Sequence, residues 1–425
     1  MHVLIIGGGI GGLAAALSLH KAGISVTVYE AVPEIRPLGV GINMLPHATR
    51  ELTELGLQGD LEATGIRTRE LVYANRHGQQ IWREDRGLHA GYNWPQYSIS
   101  RGALQMLLYR AAVARLGPEN ILSDRELVDF SQDDRGVSAR FRQRSTGAPL
   151  GEVRGDLLIG ADGIHSAVRR RLYPDEGEPV WSGRVLWRAT TEGAPYLSGR
   201  SMVMAGHEDQ KFVCYPISRE AEKRGRSLIN WIAELRFRDR DTWRREDWNR
   251  TTSIDDFLPM FEDWDFGWIK VPDIIRGAET VYEYPMVDRD PLARWSFGRV
   301  TLLGDAAHPM YPIGSNGASQ AIIDGRVLAS LLATRDDPLA ALRDYDAARR
   351  PPTSRIVLAN RGNGPDQVMQ LAEERAPDGF DDLDAVIRPD ELQEIAQRYK
   401  MIAGFDKDEL NERASLDPPS QASAP

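Results

Sequence analysis

The sequence predicts an α/β protein. A parallel-sheet domain is interrupted by a mostly antiparallel β-sheet domain and followed by a helical C-terminal segment. Three observations carry this. The chain opens with an apolar run, a glycine cluster, a helical stretch and a second apolar run, from Val3 to Glu30. From Val180 to Glu234 strand-like segments follow one another with no helical pattern between them. A buried-type strand, Val300 to Leu303, and long helical stretches then return. Strand–helix units flanking a block of strands fit one layered domain inserted in another. At 425 residues the chain is long enough for two or three domains and for a core that needs no staple.

Val3 to Ile6 is a continuous apolar run, as a strand buried on both faces requires. Gly7, Gly9 and Gly12 follow it at the fixed positions of G-x-G-x-x-G. Leu13 to Lys21 reads as a helix that stops at Gly23, and Ile24 to Glu30 as a second strand. This is a Rossmann-like βαβ unit. Its first glycine makes the turn, the second admits a pyrophosphate to the backbone, and the third lets helix and strand pack closely. Glu30 ends the second strand 18 residues after Gly12. A carboxylate there accepts ribose hydroxyls and repels a 2′-phosphate, which favours FAD or NAD over NADP.

Pro46 to Leu55 and Arg101 to Leu116 carry helical spacing. Leu71–Ala74 and Gln80–Arg83 read as a hairpin around His77-Gly78. Asn120–Phe130, Val137–Phe141 and Leu157–Ile159 read as strands, as does Val281–Met286. Asp337 to Ala359 is helical, with a break expected at Pro351-Pro352.

Composition narrows the function. The net charge of −10 argues against a nucleic-acid partner. The single cysteine, Cys214, allows neither an intrachain disulfide nor a Cys-based zinc site, and no metal is expected. The apolar N-terminus lacks a basic start and holds five glycines, so it reads as neither leader nor membrane span. The expected location is the cytoplasm.

Two further motifs follow buried-type strands. One is Gly160-Ala161-Asp162-Gly163, continuing to Arg169; the other is Gly304-Asp305-Ala306-Ala307-His308-Pro309, continuing through Pro312, Gly314, Gly317 and Ala318. With G-x-G-x-x-G they form an ordered trio, and here the chain resembles the class A flavoprotein monooxygenases, the para-hydroxybenzoate hydroxylase family. The resemblance covers roughly residues 1 to 360. EIRPLGVGIN, QYSISRGALQM and YPMVDRDPL are similar to the branch of that family that oxidises phenazine carboxylates.

The resemblance implies tightly held FAD, transient NADH or NADPH, O₂ as co-substrate and a small aromatic or heteroaromatic substrate hydroxylated through a flavin hydroperoxide. It implies an FAD-binding domain at 1–70, 98–178 and 287–365 and a substrate domain at 71–97 and 179–286; beyond its reach, spacing and composition read as an acidic helical tail at 366–425 whose end, from Asp417, is disordered. For FAD it singles out Gly7, Gly9, Gly12, Glu30, Arg36, Gly41, Arg101, the backbone of Leu127, Asp162, Gly163, Gly304, Asp305, Gly314, Gly317 and Ala318. Asp305 would hold a ribityl hydroxyl. Arg169 would fix its loop by pairing with Asp162. Pro312 and Gly314 would face the reacting side of the ring.

Trp187, Arg188, Met202, Tyr215, Tyr284 and Met286 are substrate-pocket candidates. Arg188 lies in an apolar strand and needs a partner if it points inward, either a substrate carboxylate or phenolate or a neighbouring carboxylate. Tyr215 and His207 are candidates for proton transfer. The same chemistry admits epoxidation or oxidative decarboxylation. A non-catalytic flavin protein is the reading that Pro312, Gly314 and Gly317 oppose. The segment from Asp366 to the end carries 15 acids and 6 bases. It could cover the catalytic domain, mediate dimer contacts or do neither, and a monomer or homodimer is expected.

Overall fold

The computed structural model describes residues 1–37, 40–237 and 252–417. The expected disorder of the chain end falls on 418–425, outside the described residues. Asp417, counted with that end, is instead tied down: it pairs with Lys21 at 2.5 Å and Arg326 at 2.7 Å.

A six-stranded sheet forms the first layer, in the order Ser296–Phe297, Val300–Leu302, Leu157–Gly160, His2–Ile6, Ser25–Tyr29, Ile121–Leu122. Its inner pairs are parallel. The helices Ile10–Lys21 and Gly317–Thr334 pack on it, and Gly325 lets them approach until its position abuts the Ala15 backbone. A second, seven-stranded sheet runs Tyr282–Asp288, Val180–Gly193, Ser227–Arg236, Gln210–Pro216, Ser201–Gly206, Glu70–Ala74, Gln80–Asp85. All its pairs are antiparallel except Ser201–Gly206 with Glu70–Ala74.

Two local expectations change, and the helical C-terminal segment is present as expected. Residues 120–130 are two strands in different sheets, Ile121–Leu122 and Glu126–Asp133, because Asp124 takes a left-handed φ of 57° and turns the chain. Pro351-Pro352 does not break its helix, which runs unbroken from Pro338 to Arg361. The prolines leave the Ala347 and Ala348 carbonyls without their intrahelical donors, and the Thr353 and Ser354 hydroxyls bond back to the next carbonyls, those of Arg349 and Arg350. The segment after Asp366 is a set of packed helices, Gln367–Arg375, Pro389–Ala403 and Lys407–Glu412. They bury Val368, Met369, Leu392, Tyr399, Phe405 and Leu410 against the rest of the chain.

Candidate functional site

The three sequence motifs leave neighbouring parallel strands at the same sheet edge. Val300–Leu302 pairs with Leu157–Gly160, which pairs with His2–Ile6. Loops more than 100 residues apart in sequence therefore stand side by side, where open α/β sheets bind ligands. They line one end of a cavity of about 980 Å³, and the inner face of the seven-stranded sheet lines the other.

At the first end the site is mostly backbone. Gly7 has φ 108°, and a side chain there would drive into the Ala161 carbonyl. A Cβ on Gly9 would meet nothing within 4 Å, so the backbone is open to the cavity at the point where a pyrophosphate must approach. The helix Ile10–Lys21 has no side-chain cap, and its free N–H groups and positive end face the same space. Glu30 is oriented by the Gly8 and Val32 N–H groups, which donate to its two carboxylate oxygens at 2.6 and 2.8 Å. Asp305 reaches into the cavity from between buried neighbours, opposite Arg101. Burial lowers the pKa of Arg101 and the Asp305 charge opposes that.

Asp162 does not pair with Arg169. Its carboxylate caps the following helix through the Ser166 hydroxyl and the Ala167 and Val168 N–H groups. Burial raises its pKa and these bonds oppose the rise. Arg169 turns the other way, to Glu176, and donates to the carbonyls of Ala306 and Ala307 at 3.1 Å. It thus stitches the second motif to the third. His308, a structural residue by motif position, binds buried Asp324 at 2.6 Å.

The loop Pro312–Asn316 is a left-handed turn. Gly314 has φ 67°, and a side chain there would strike the Tyr399 hydroxyl. Ser315 adopts φ 57°, a strained conformation for a residue with a side chain, costing roughly 1–3 kcal/mol. Tyr399 holds the turn from behind, bonded to Asn316 at 3.0 Å, the Ile313 carbonyl at 3.2 Å and Asn360 at 2.8 Å. The uncapped helix from Gly317 then points its N–H groups into the cavity.

At the second end the site is side chains on a sheet floor. Alternate residues face it: Arg188 on one strand, Ile232 and Glu234 on the next, Lys211, Val213 and Tyr215 on the third. Trp187, a pocket candidate, cannot share a face with Arg188. It lies on the opposite side, stacked on Phe257 with ring centres 4.6 Å apart. Met202, Tyr284 and Met286 line the cavity as expected.

Arg188 donates to the Gly41 carbonyl at 2.9 Å and interacts with the Tyr215 phenol. Burial raises the Tyr215 pKa and Arg188 opposes it. Among the described residues no carboxylate pairs with Arg188, and its buried Nε has no partner.

Two charged residues of the floor escaped the sequence reading. Lys211 bonds Glu234 at 3.1 Å and Asp366 at 2.9 Å, all three buried. Burial presses the Lys211 pKa down, but the two carboxylates outweigh it and raise it. Lys211 gave a weaker signal than Arg188, because it closes the polar run from His207; Asp366 and Tyr399 gave none, because contact with the cavity depends on how distant helices dock.

Most candidates converge on the cavity: Gly7, Gly9, Glu30, Gly41, Arg101, Leu127, Asp162, Gly163, Gly304, Asp305, Pro312, Gly317 and Ala318, with Arg188 and Tyr215. Three do not line it. Gly12 sits behind, where a side chain would clash with the Gly7 carbonyl. Gly314 shapes its loop from the back. Arg36 is exposed and paired with Glu34 at 2.6 Å. His207 also lies outside the lining.

A nucleotide cradle of backbone N–H groups, a ribose-type carboxylate and a second carboxylate deeper in fit an FAD-dependent enzyme. The chain belongs to the FAD binding domain family, which matches residues 1–359. It is 47% identical over 361 residues to phenazine 1,6-dicarboxylic acid hydroxylase PhzS of Lysobacter antibioticus, covering 84% of this chain and 89% of that one. It is 33% identical over 374 residues to 3-amino-4-hydroxybenzoate 2-monooxygenase PtnB3 of Streptomyces platensis, covering 85% and 87%. The crystal structure of Klebsiella pneumoniae HpxO with FAD and uric acid superposes with a TM-score of 0.71 at 25% identity, covering 97% of this chain and 95% of that one. The protein is a single-component FAD-dependent monooxygenase that hydroxylates an aromatic substrate, using NAD(P)H and O₂. Among the described residues no helix is long and apolar enough to cross a membrane.

Proposed function

We propose that the substrate is a planar, fused heteroaromatic acid of the phenazine carboxylate kind, seated on the seven-stranded sheet with its carboxylate on Arg188. The observation that carries this is Arg188 itself, half-buried on the cavity floor, with no carboxylate paired to it among the described residues and a buried Nε without a partner. A substrate carboxylate supplies the missing anion with directed, charge-assisted hydrogen bonds. The identity to the Lysobacter enzyme, named for a phenazine dicarboxylic acid, supports the ring system.

Each residue then has a task. Gly7 and Gly9, with the open end of the first helix, hold the pyrophosphate of FAD, Glu30 the adenosine ribose, and Asp305 the ribityl chain. Leu127 places the adenine, Gly163 and Arg101 flank the phosphates, and Gly304 lets the third loop close on the site. FAD held there would take a hydride from NAD(P)H and use it to activate O₂, one oxygen atom of which goes to the substrate and the other to water. The N–H groups of Gly317 and Ala318 stabilise negative charge beside the ring. Pro312 and Gly314 set the shape of the reacting side. Arg188 orients the acid, Tyr215 shares its hydrogen-bond network, and Met202, Met204 and Met286 exclude water. Residues 1–70, 98–178 and 287–365 serve the cofactor, 71–97 and 179–286 the substrate, and the enzyme works in the cytoplasm.

The test is oxidation of NADH and of NADPH by the FAD-loaded protein across single-ring and fused-ring aromatic acids, with peroxide followed alongside. Stimulation by fused acids with little peroxide is expected. Stimulation confined to single-ring phenols would overturn the assignment.

A further inference from the structure

Asp366 lies beyond the residues that the family match covers, yet its side chain lines the cavity. It is 5% exposed. An aspartate preceding a helix ordinarily caps it, but Asp366 makes no such bond to the helix Gln367–Arg375. One carboxylate oxygen, Oδ2, accepts from Lys211 at 2.9 Å. The other, Oδ1, is buried with no partner. Lys211 is fixed in turn by Glu234, and Glu234 lies 3.4 Å from Arg184, so the carboxylate is clamped in one orientation.

The strand register places this oxygen relative to Arg188. Lys211 pairs across the sheet with Glu234, and Val213 with Ile232, which pairs with Arg188. The two rows are consecutive on the cavity face, roughly 7 Å apart along the strands. The floor therefore carries an unsatisfied donor in one row and, bonded to the next row, an unsatisfied acceptor. A buried acceptor without a donor is costly, and water or a ligand group must supply one.

We propose that Asp366 reads the far end of the substrate: its Oδ1 accepts a hydrogen bond from an O–H or N–H group of a monoanionic aromatic acid. This rests on the assignment of the carboxylate to Arg188. The ligand class is a two- or three-ring acid with a hydroxyl or N–H donor across the ring system from its carboxylate. A second carboxylate at that end would face a fixed like charge and is rejected.

The probes are 6-hydroxy-2-naphthoate, 6-methoxy-2-naphthoate and naphthalene-2,6-dicarboxylate. Binding is read by the change in flavin absorbance of the FAD-loaded protein without NAD(P)H, so turnover is not needed. The unmodified protein is expected to bind the hydroxy acid at least tenfold more tightly than the methoxy acid, and the diacid most weakly. In Asp366→Asn, Lys211 still requires the oxygen, so the amide NH₂ turns to the cavity and the acceptor becomes a donor. The preference for the hydroxy over the methoxy acid then collapses, because either ligand oxygen can accept from the amide, and the diacid gains most. FAD content and thermal midpoint report whether the variant is folded. The order in the unmodified protein stands as a test on its own if it is not. Equal binding of the hydroxy and methoxy acids, or an order that survives in a folded Asp366→Asn, overturns the role of Asp366. Absence of binding by all three acids, or binding that Arg188→Met leaves intact, overturns the carboxylate assignment beneath it.

Discussion

The two ends of the cavity are built from different materials. The cofactor end is backbone: three loops, two uncapped helix ends and glycines whose side chains would collide with neighbouring main chain. The substrate end is side chains: Arg188, Tyr215, Lys211 and Asp366, brought together from two strands and the turn before a helix beyond the family core. A backbone site tolerates almost no substitution, so the first end writes itself into the sequence as fixed glycines. A side-chain site needs only the right groups in one place, and many sequences can deliver them.

The largest effect is expected where backbone is least forgiving. In Gly7→Val, a left-handed φ of 108° and a collision with the Ala161 carbonyl act together. A penalty of about 3 kcal/mol corresponds to roughly 150-fold in FAD affinity. The protein should purify largely colourless, as measured by flavin-to-protein absorbance and by titration with FAD. A yellow, active Gly7→Val would remove the distinction between the two ends.

Arg188→Met tests the other end. Hydrogen bonds to charged groups contribute about 1.5–3 kcal/mol, so the KM for the acid substrate should rise roughly 10- to 150-fold. FAD affinity should change far less than KM, because Arg188 reaches the cofactor half through one bond to the Gly41 carbonyl and through its charge near Arg101. Steady-state kinetics with a separate FAD titration resolve the two. A joint loss of both would mean that the two ends are one energetic unit.

This contrast explains what the sequence made legible. The glycine trio, Glu30 and Asp305 were readable because strand, turn and acid occur at fixed spacing, and the structure brings them to one sheet edge. Arg188 was readable because a charge in an apolar strand demands a partner. Lys211 was harder to read, because it closes the polar run from His207 before the apolar part of the strand Gln210–Pro216. Asp366 and Tyr399 follow from docking of the C-terminal helices, which no local pattern specifies. The expected Asp162–Arg169 pair failed for a local reason: Ser166 and the helix N–H groups compete for that carboxylate at shorter range. The fold class itself rested on strand and helix periodicity, which reports burial and little else.

His47 offers a gentler probe, of the seam between the cofactor half and the C-terminal helices. It is buried beside Phe405, with the Gln320 amide donating to its Nε2. Burial, helped by the charges of Arg413 and Arg349, lowers its pKa from 6.5 to about 3. The folded protein therefore keeps His47 neutral while the unfolded chain protonates it below 6.5. Its contribution to stability is complete above that pH and is lost as the pH falls toward 3, by about 1.4 kcal/mol per unit. Urea unfolding between pH 7 and pH 5, where most carboxylates stay ionised, should show that slope. His47→Gln should flatten it, and an equal slope in both proteins would place the acid sensitivity elsewhere.

The smallest effect on catalysis is expected one residue from Arg188 on the floor. Trp187 precedes Arg188 on the same strand, yet alternation turns it to the outer face, against Phe257. Its indole N–H donates to Glu283 at 3.2 Å. Trp187→Phe should cost roughly 1–2 kcal/mol of stability through lost packing and that bond. It should leave kcat/KM within about twofold, since its ring partners Phe237 and Phe257 and its acceptor Glu283 do not line the cavity. Thermal unfolding and steady-state kinetics on one preparation separate the two quantities. A fall in kcat/KM well beyond twofold with little loss of stability would show that the floor does not insulate its two faces. The pair Trp187 and Arg188 is therefore the sharpest local test of whether strand alternation alone decides which residues meet substrate.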